Sequence, residues 1–294
     1  MLSWPDERVQ DGDITNRWQH RGSNLCLDLH GDPLRAGVVI LSDGNHHMAL
    51  NDVVRVYAGL NPGDAPPFYA TFPPAVIAMI VRDGQVRLGN LVLSLRPDVL
   101  LGPPQFLQGL GDIAFTGVSK PFVQGRGCSL LVAEGNPKRI RGVEDLDRED
   151  VRLFLSNPET EKVSYNGYAA ALRRAAAHAG VDTGFLDPAN GRLMYGECIH
   201  HREAPEAVAS GRVDVAVVYH HLALRYCRVF PQLFEQQPLE TGGGASTSES
   251  APERNTVFAL LSGDARPSGE GFYAFLDTAR VREIYDHHGL DRIE

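Results

Sequence analysis

The feature that most constrains the fold is a repeated unit: a short apolar run, then a turn of Gly, Ser, Asn or Pro, then a helix-compatible stretch. Residues 38–41 lead into Ser42, Asp43, Gly44 and Asn45, any of which can cap the helix expected to follow. Residues 68–72 lead into Pro73 and Pro74, which suit the first turn of a helix capped by Thr71 or Phe72. The pattern returns at 97–102, at 128–133 before Gly135 and Pro137, and at 151–155 before Ser156, Asn157 and Pro158. Further strands are expected at 192–195, 213–219 and 257–261, and helices at 168–179, 204–210, 271–276 and 281–287. Strands alternating with helices predict an α/β protein whose sheets are mostly parallel.

The chain has 294 residues, enough for two modest domains with real cores. No run approaches the roughly 18–20 apolar residues of a membrane span, so no membrane insertion is expected. The N-terminus carries no basic segment followed by an apolar one, so a cytoplasmic location is expected for the chain as it stands, and a periplasmic or extracellular one if an export signal has been removed. A net charge of -9 argues against nucleic acid as a partner. It leaves small anions open, because oriented backbone N–H groups bind them inside acidic proteins. Cys26, Cys128, Cys198 and Cys227 are widely spaced, without a Cys-x-x-Cys pair, and read as reduced thiols. The polar residues 1–36, with a strand candidate at 24–29, read as an N-terminal extension, and 240–254 as a flexible loop with almost nothing to bury.

Four segments carry a resemblance over most of the chain. They are 135–146 (GNPKRIRGVEDL), 151–158 (VRLFLSNP), 208–219 (VASGRVDVAVVY) and 272–289, with its Phe272, Phe275, Leu276 and closing Tyr285 and Gly289. In this order and spacing they resemble the molybdate/tungstate solute-binding family of the type 2 periplasmic binding-protein fold. The resemblance implies two α/β lobes joined by crossing strands: 37–127 with 229–294 as lobe 1, and 128–228 as lobe 2. It implies a ligand held between them beyond the carboxyl ends of the strands, most simply a tetrahedral oxyanion of the molybdate, tungstate or sulfate type. It also implies an ABC transporter permease as partner; a cytosolic sensing or storage role on the same fold is the alternative for a chain without an export signal, and no cofactor or catalytic role is expected. Carried over by position, Ser42 matches a hydroxyl after the first strand, Thr71 stands near a second, and Tyr219 matches a tyrosine facing the cleft. Asn157 replaces an aspartate, and the loop 156–167 lies where backbone N–H groups meet the anion. Asn45 and Arg202 complete the expected donor set.

The departure from that family is histidine. Eight of the eleven histidines form the adjacent pairs His46–His47, His200–His201, His220–His221 and His287–His288. The first three pairs follow strands expected to point at the cleft; taken singly, each residue reads as a helix-start or surface group. Adjacent side chains diverge, so at most one of each pair is expected to face a ligand, and His46, His201 and His220 are the choices. As donors they would hold an anion; as neutral imidazoles the same three would ligate a transition metal. A third reading is a small-carboxylate binder gripped by Arg202 or Arg225. No Gly-x-Ser-x-Gly, His-Glu-x-x-His, Walker or Gly-x-Gly-x-x-Gly segment points to an enzyme.

Overall fold

The computed structural model describes residues 28–88, 91–113, 117–197, 199–239 and 255–293. The expected loop at 240–254, and the expected extension up to residue 27, lie outside them. In chain order the first part runs β1 (Asp28–His30), β2 (Val39–Ser42), α1 (His47–Leu60), β3 (Phe68–Thr71), α2 (Pro74–Asp83), β4 (Gln85–Leu88), β5 (Leu91–Ser94), β6 (Val99–Gly102), α3 (Pro104–Gly109) and β7 (Gly117–Gly125). The second runs β8 (Cys128–Ala133), β9 (Leu153–Leu155), α4 (Lys162–Ala179), β10 (Leu193–Tyr195), α5 (His200–Ala209), β11 (Val215–Tyr219), α6 (His220–Val229) and β12 (Phe234–Pro238). The chain then returns as β13 (Val257–Ser262), α7 (Pro267–Phe275), α8 (Ala279–His287) and β14 (Leu290–Arg292).

These elements build two sheets, one per lobe, beside a β4–β5 hairpin. The first has the order β1-β3-β2-β6-β13-β7-β14, the second β10-β9-β11-β8-β12. Both are mixed rather than mostly parallel. β2 is parallel to β3 and β6, and β9 to β10 and β11, while β8, β12, β13, β7, β14 and β1 pair antiparallel. Helical crossovers return β3, β10 and β11 parallel to a neighbour, while β7 passes from the first sheet to β8 of the second through Arg126 and Gly127 alone, with Gly127 at φ +86°. Phe234–Pro238 pairs along β8 in the second sheet.

Alternation along the strands assigns the first lobe's core. Val38, Ile40, Val99 and Leu101 face α1, α7 and α8, while Val39, Leu41 and Leu100 face α2 and α3. In the second lobe β8, β9 and β11 are apolar and buried on both faces, with Leu172, Ala175, Ala207 and Tyr226 packed over them. Buried Asp98 accepts from the Val39 N–H at 2.7 Å and from Arg266 at 2.6 Å, which anchors the start of β2 to α7. α2 starts at Pro74 with Pro73, not Thr71 or Phe72, in the cap position and no side-chain cap bond. α4 and α5 begin earlier than expected, at Lys162 and His200. Among the described residues no helix is long and apolar enough to cross a membrane.

Candidate ligand-binding cleft

The parallel strands of both lobes end on one cleft of about 1500 Å³ between the lobes, the place where open α/β sheets take ligands. From the first lobe come the turns after β2, β3 and β6; from the second come the start of α4, α5 and the tyrosine-led start of α6.

The turn after β2 is closed on itself. The Ser42 hydroxyl donates to the Asp43 carbonyl at 2.8 Å and lies 3.0 Å from His46 Nε2, while His46 Nδ1 lies 2.9 Å from the Tyr285 hydroxyl. One tautomer satisfies the chain: Tyr285 donates to Nδ1, and Nε2–H donates to Ser42. Ser42 and His46 are both 0% exposed, and burial lowers the His46 pKa to about 3, so the ring is neutral. Neither residue lines the cleft; its neighbour His47 does. Helical phase explains this, since His46 shares a face with buried Leu50, Val53 and Val54. Asp43 does line the cleft, with its Oδ1 3.5 Å from His46 Nε2. Burial raises its pKa to about 7, and the nearby Asn45 amides oppose the shift.

The second lobe carries the charge. His201, Arg202 and Arg225 line the cleft, and Arg225 reaches across to His47, its guanidinium 3.4 Å from Nδ1. The His201 pKa falls to about 4, first through burial and then through the charges of Arg202, Arg225 and His47. The backbone that presents His201 and Arg202 has a specific brace. Pro205, inside α5, has no N–H for the His201 carbonyl, and the Tyr226 hydroxyl of α6 donates to that carbonyl instead. Glu161 accepts from the His200 N–H at 2.9 Å, and burial lifts its pKa to about 7. Tyr219 stacks on His221 at 5.7 Å and contacts Tyr168 at 4.8 Å; burial pushes its hydroxyl pKa up.

Of the residues expected from sequence, Asn45, Thr71, His201, Arg202 and Tyr219 come together in the cleft, and Ser42, His46, Asn157 and His220 do not line it. The Asn157 side chain is spent locally: it donates to the Gly196 carbonyl at 3.0 Å and accepts from the Glu159 N–H at 2.8 Å. His220 sits where the lobes meet, its Nδ1 3.0 Å from the Ser129 hydroxyl, its backbone N–H on the Gly127 carbonyl at 2.9 Å and its ring against Gly289. The cleft members overlooked by sequence reasoning are Asp43, His47, Glu161 and Ser164. For His47 the signal was present in the helical period of 46, 50 and 53. Among the described residues no three His, Cys, Asp or Glu side chains converge as a metal site. Cys128 and Cys227 are free thiols; Cys26 and Cys198 lie outside the described residues.

Two α/β lobes with their strand ends gathered on a shared cleft define a two-lobed solute-binding protein. Residues 94–291 match the model of the bacterial extracellular solute-binding protein family, more than half of the chain, and the chain belongs to that family. Solved structures agree on the fold. Peb3 from Campylobacter jejuni is 15% identical, with 86% of this chain and 99% of that one covered at a TM-score of 0.59; PEB3 has also been solved with L-phospholactate bound. The sulfate-binding protein SubI from Mycobacterium tuberculosis is 14% identical, covering 87% of each chain at 0.60. The periplasmic molybdate-binding protein of Azotobacter vinelandii is 13% identical, covering 87% of this chain and 99% of that one at 0.56. A comparison with curated protein sequences finds no match.

Proposed function

We propose that this protein captures an anionic solute between its lobes, an oxyanion group of the molybdate, tungstate or sulfate type, and delivers it to an ABC transporter permease outside the cytoplasm. One observation carries the reading: His201, Arg202 and Arg225 of the second lobe and His47 of the first converge on one cleft. Asn45, Thr71 and Tyr219 are the neutral donors around them. The binding of sulfate, molybdate and L-phospholactate by proteins of this fold supports an anion. The ligand bridges both lobes and so favours the closed state by hinge motion. Function is binding rather than catalysis on this reading.

The metal reading is the weaker one. His46 is committed to Ser42 and Tyr285, His220 pairs with Ser129 behind the cleft, and His201 alone of the three faces it. Isothermal titration with phosphate, sulfate, molybdate and zinc separates the readings. Heat from one of the anions and none from zinc is expected; micromolar zinc binding with silent anions would overturn the proposal.

A further inference from the structure

The cleft has two unlike parts. Arg202 and Arg225, with the His201 and His47 rings beside them, form a cationic end. Around it stand apolar walls: Pro74, Pro104 and Phe106 from the first lobe, and Leu222, Val229 and Phe230 from the second. Val229 and Phe230 are 56% and 43% exposed, although both are large and apolar, and facing apolar surfaces of this kind mark binding sites.

The volume points the same way. A tetrahedral oxyanion displaces only a few waters, each about 30 Å³ of liquid, whereas the cleft offers about 1500 Å³. Pockets for organic ligands run to roughly 300–1,000 Å³ and are mainly apolar, with a few polar groups fixing orientation. The hydroxyl best placed by its strand to wrap a bare oxyanion, that of Ser42, is already bonded within the protein. A bare anion would therefore meet an incomplete ring of donors, and the walls would have nothing to cover.

From the cationic end and the walls together, we infer that the solute is an organic anion: its oxyanion head lies on Arg202 and Arg225, and its apolar body lies between Phe106 on one lobe and Leu222, Val229 and Phe230 on the other. The inference rests on the anion reading above and names the class of solute. It also gives closure a second drive, since the body buries apolar surface against both lobes only when they approach.

The test is calorimetric titration with matched pairs: phosphate against phenylphosphonate, and acetate against benzoate. Each aryl compound is expected to bind at least tenfold more tightly than its bare partner, and the better pair identifies the head group. Phe106→Ala, or Val229→Ser on the opposite wall if the first variant is unfolded by circular dichroism, should remove most of that gain and change phosphate affinity less than threefold. Bare anions binding as tightly as aryl ones would overturn the inference and leave the anion reading standing. Equal weakening of both classes by the wall variant would also overturn it, because the walls would then serve to pack on each other. Silence from all four compounds would overturn the inference, and silence from sulfate and molybdate as well would remove the anion reading itself.

Discussion

The two walls of the cleft use the same residue types to opposite ends. In the first lobe, serine and histidine after β2 close a buried chain, Tyr285 to His46 to Ser42, that fixes the turn and leaves little for a solute. In the second lobe, a proline inside α5 leaves one carbonyl unpaired, Tyr226 takes it, and the adjoining His201 and Arg202 face the cleft. In each lobe one histidine beside a strand end is buried, His46 or His200, and its neighbour, His47 or His201, lines the cleft. Which place a histidine takes depends on helix phase and on what neighbours consume its nitrogens.

Removing the charge should do the most. The double variant Arg202→Ala with Arg225→Ala is expected to lose about 4 kcal/mol of anion binding, about a thousandfold in Kd, at about 2 kcal/mol for each charge-assisted bond. Calorimetry reads this, with the thermal midpoint within a few degrees of the parent. The first lobe should respond in the reverse manner: His46→Ala leaves the buried Tyr285 hydroxyl without its partner, takes one of two from Ser42 and costs about 3 kcal/mol of stability in urea denaturation, with affinity changed less than threefold. A large affinity loss there, at unchanged stability, would break the contrast.

Acid comes next. The pKa values of His46, His200 and His221 are lowered by burial to about 3, 4 and 4. Their native-state contribution is fully present above the ordinary histidine pKa near 6.5 and is lost as pH falls towards 4. Asp43 and Glu161, raised to about 7, have the opposite sign and stabilise more as pH drops through that value. The first lobe sets one such histidine against one acid, the second, where His201 is also lowered to about 4, three against one. Lowering pH from 6.5 to 5 should therefore cost about 3 kcal/mol net, and amide exchange should rise in the second lobe first. Smallest of all, His220→Ala should leave affinity within twofold, since the ring sits behind the cleft at the junction of β8 with β14's preceding turn.

Much of the fold was legible from residues alone, because alternation and turn chemistry are local. β2, β3, β6, β8, β9, β11 and β13 lie where their apolar runs predict. Of the strands that escaped, β4 and β5 pair with each other as a hairpin, while β7, β12 and β14 are held by pairing with distant segments: Glu235 and Gln236 alternate with nothing apolar, and only the register along β8 makes them a strand. The site was legible in part for the same reason. Tyr219 and Arg202 follow from strand ends and helix starts, whereas the fates of Ser42 and His46 depend on Tyr285, 239 residues away in sequence from His46. Asn157 looked like a ligand donor and is an Asx turn, a distinction set by the Glu159 N–H beside it.

The central claim is that the second lobe's cations hold the solute's anionic group inside the cleft. Crystals soaked in selenate test it most directly, since the selenium's anomalous signal marks the anion without assumption. The account predicts one dominant peak in the cleft, within bonding distance of Arg202 and Arg225 and facing Asn45. A dominant peak elsewhere, beside His220 or on an outer face with the cleft left without signal, would contradict it.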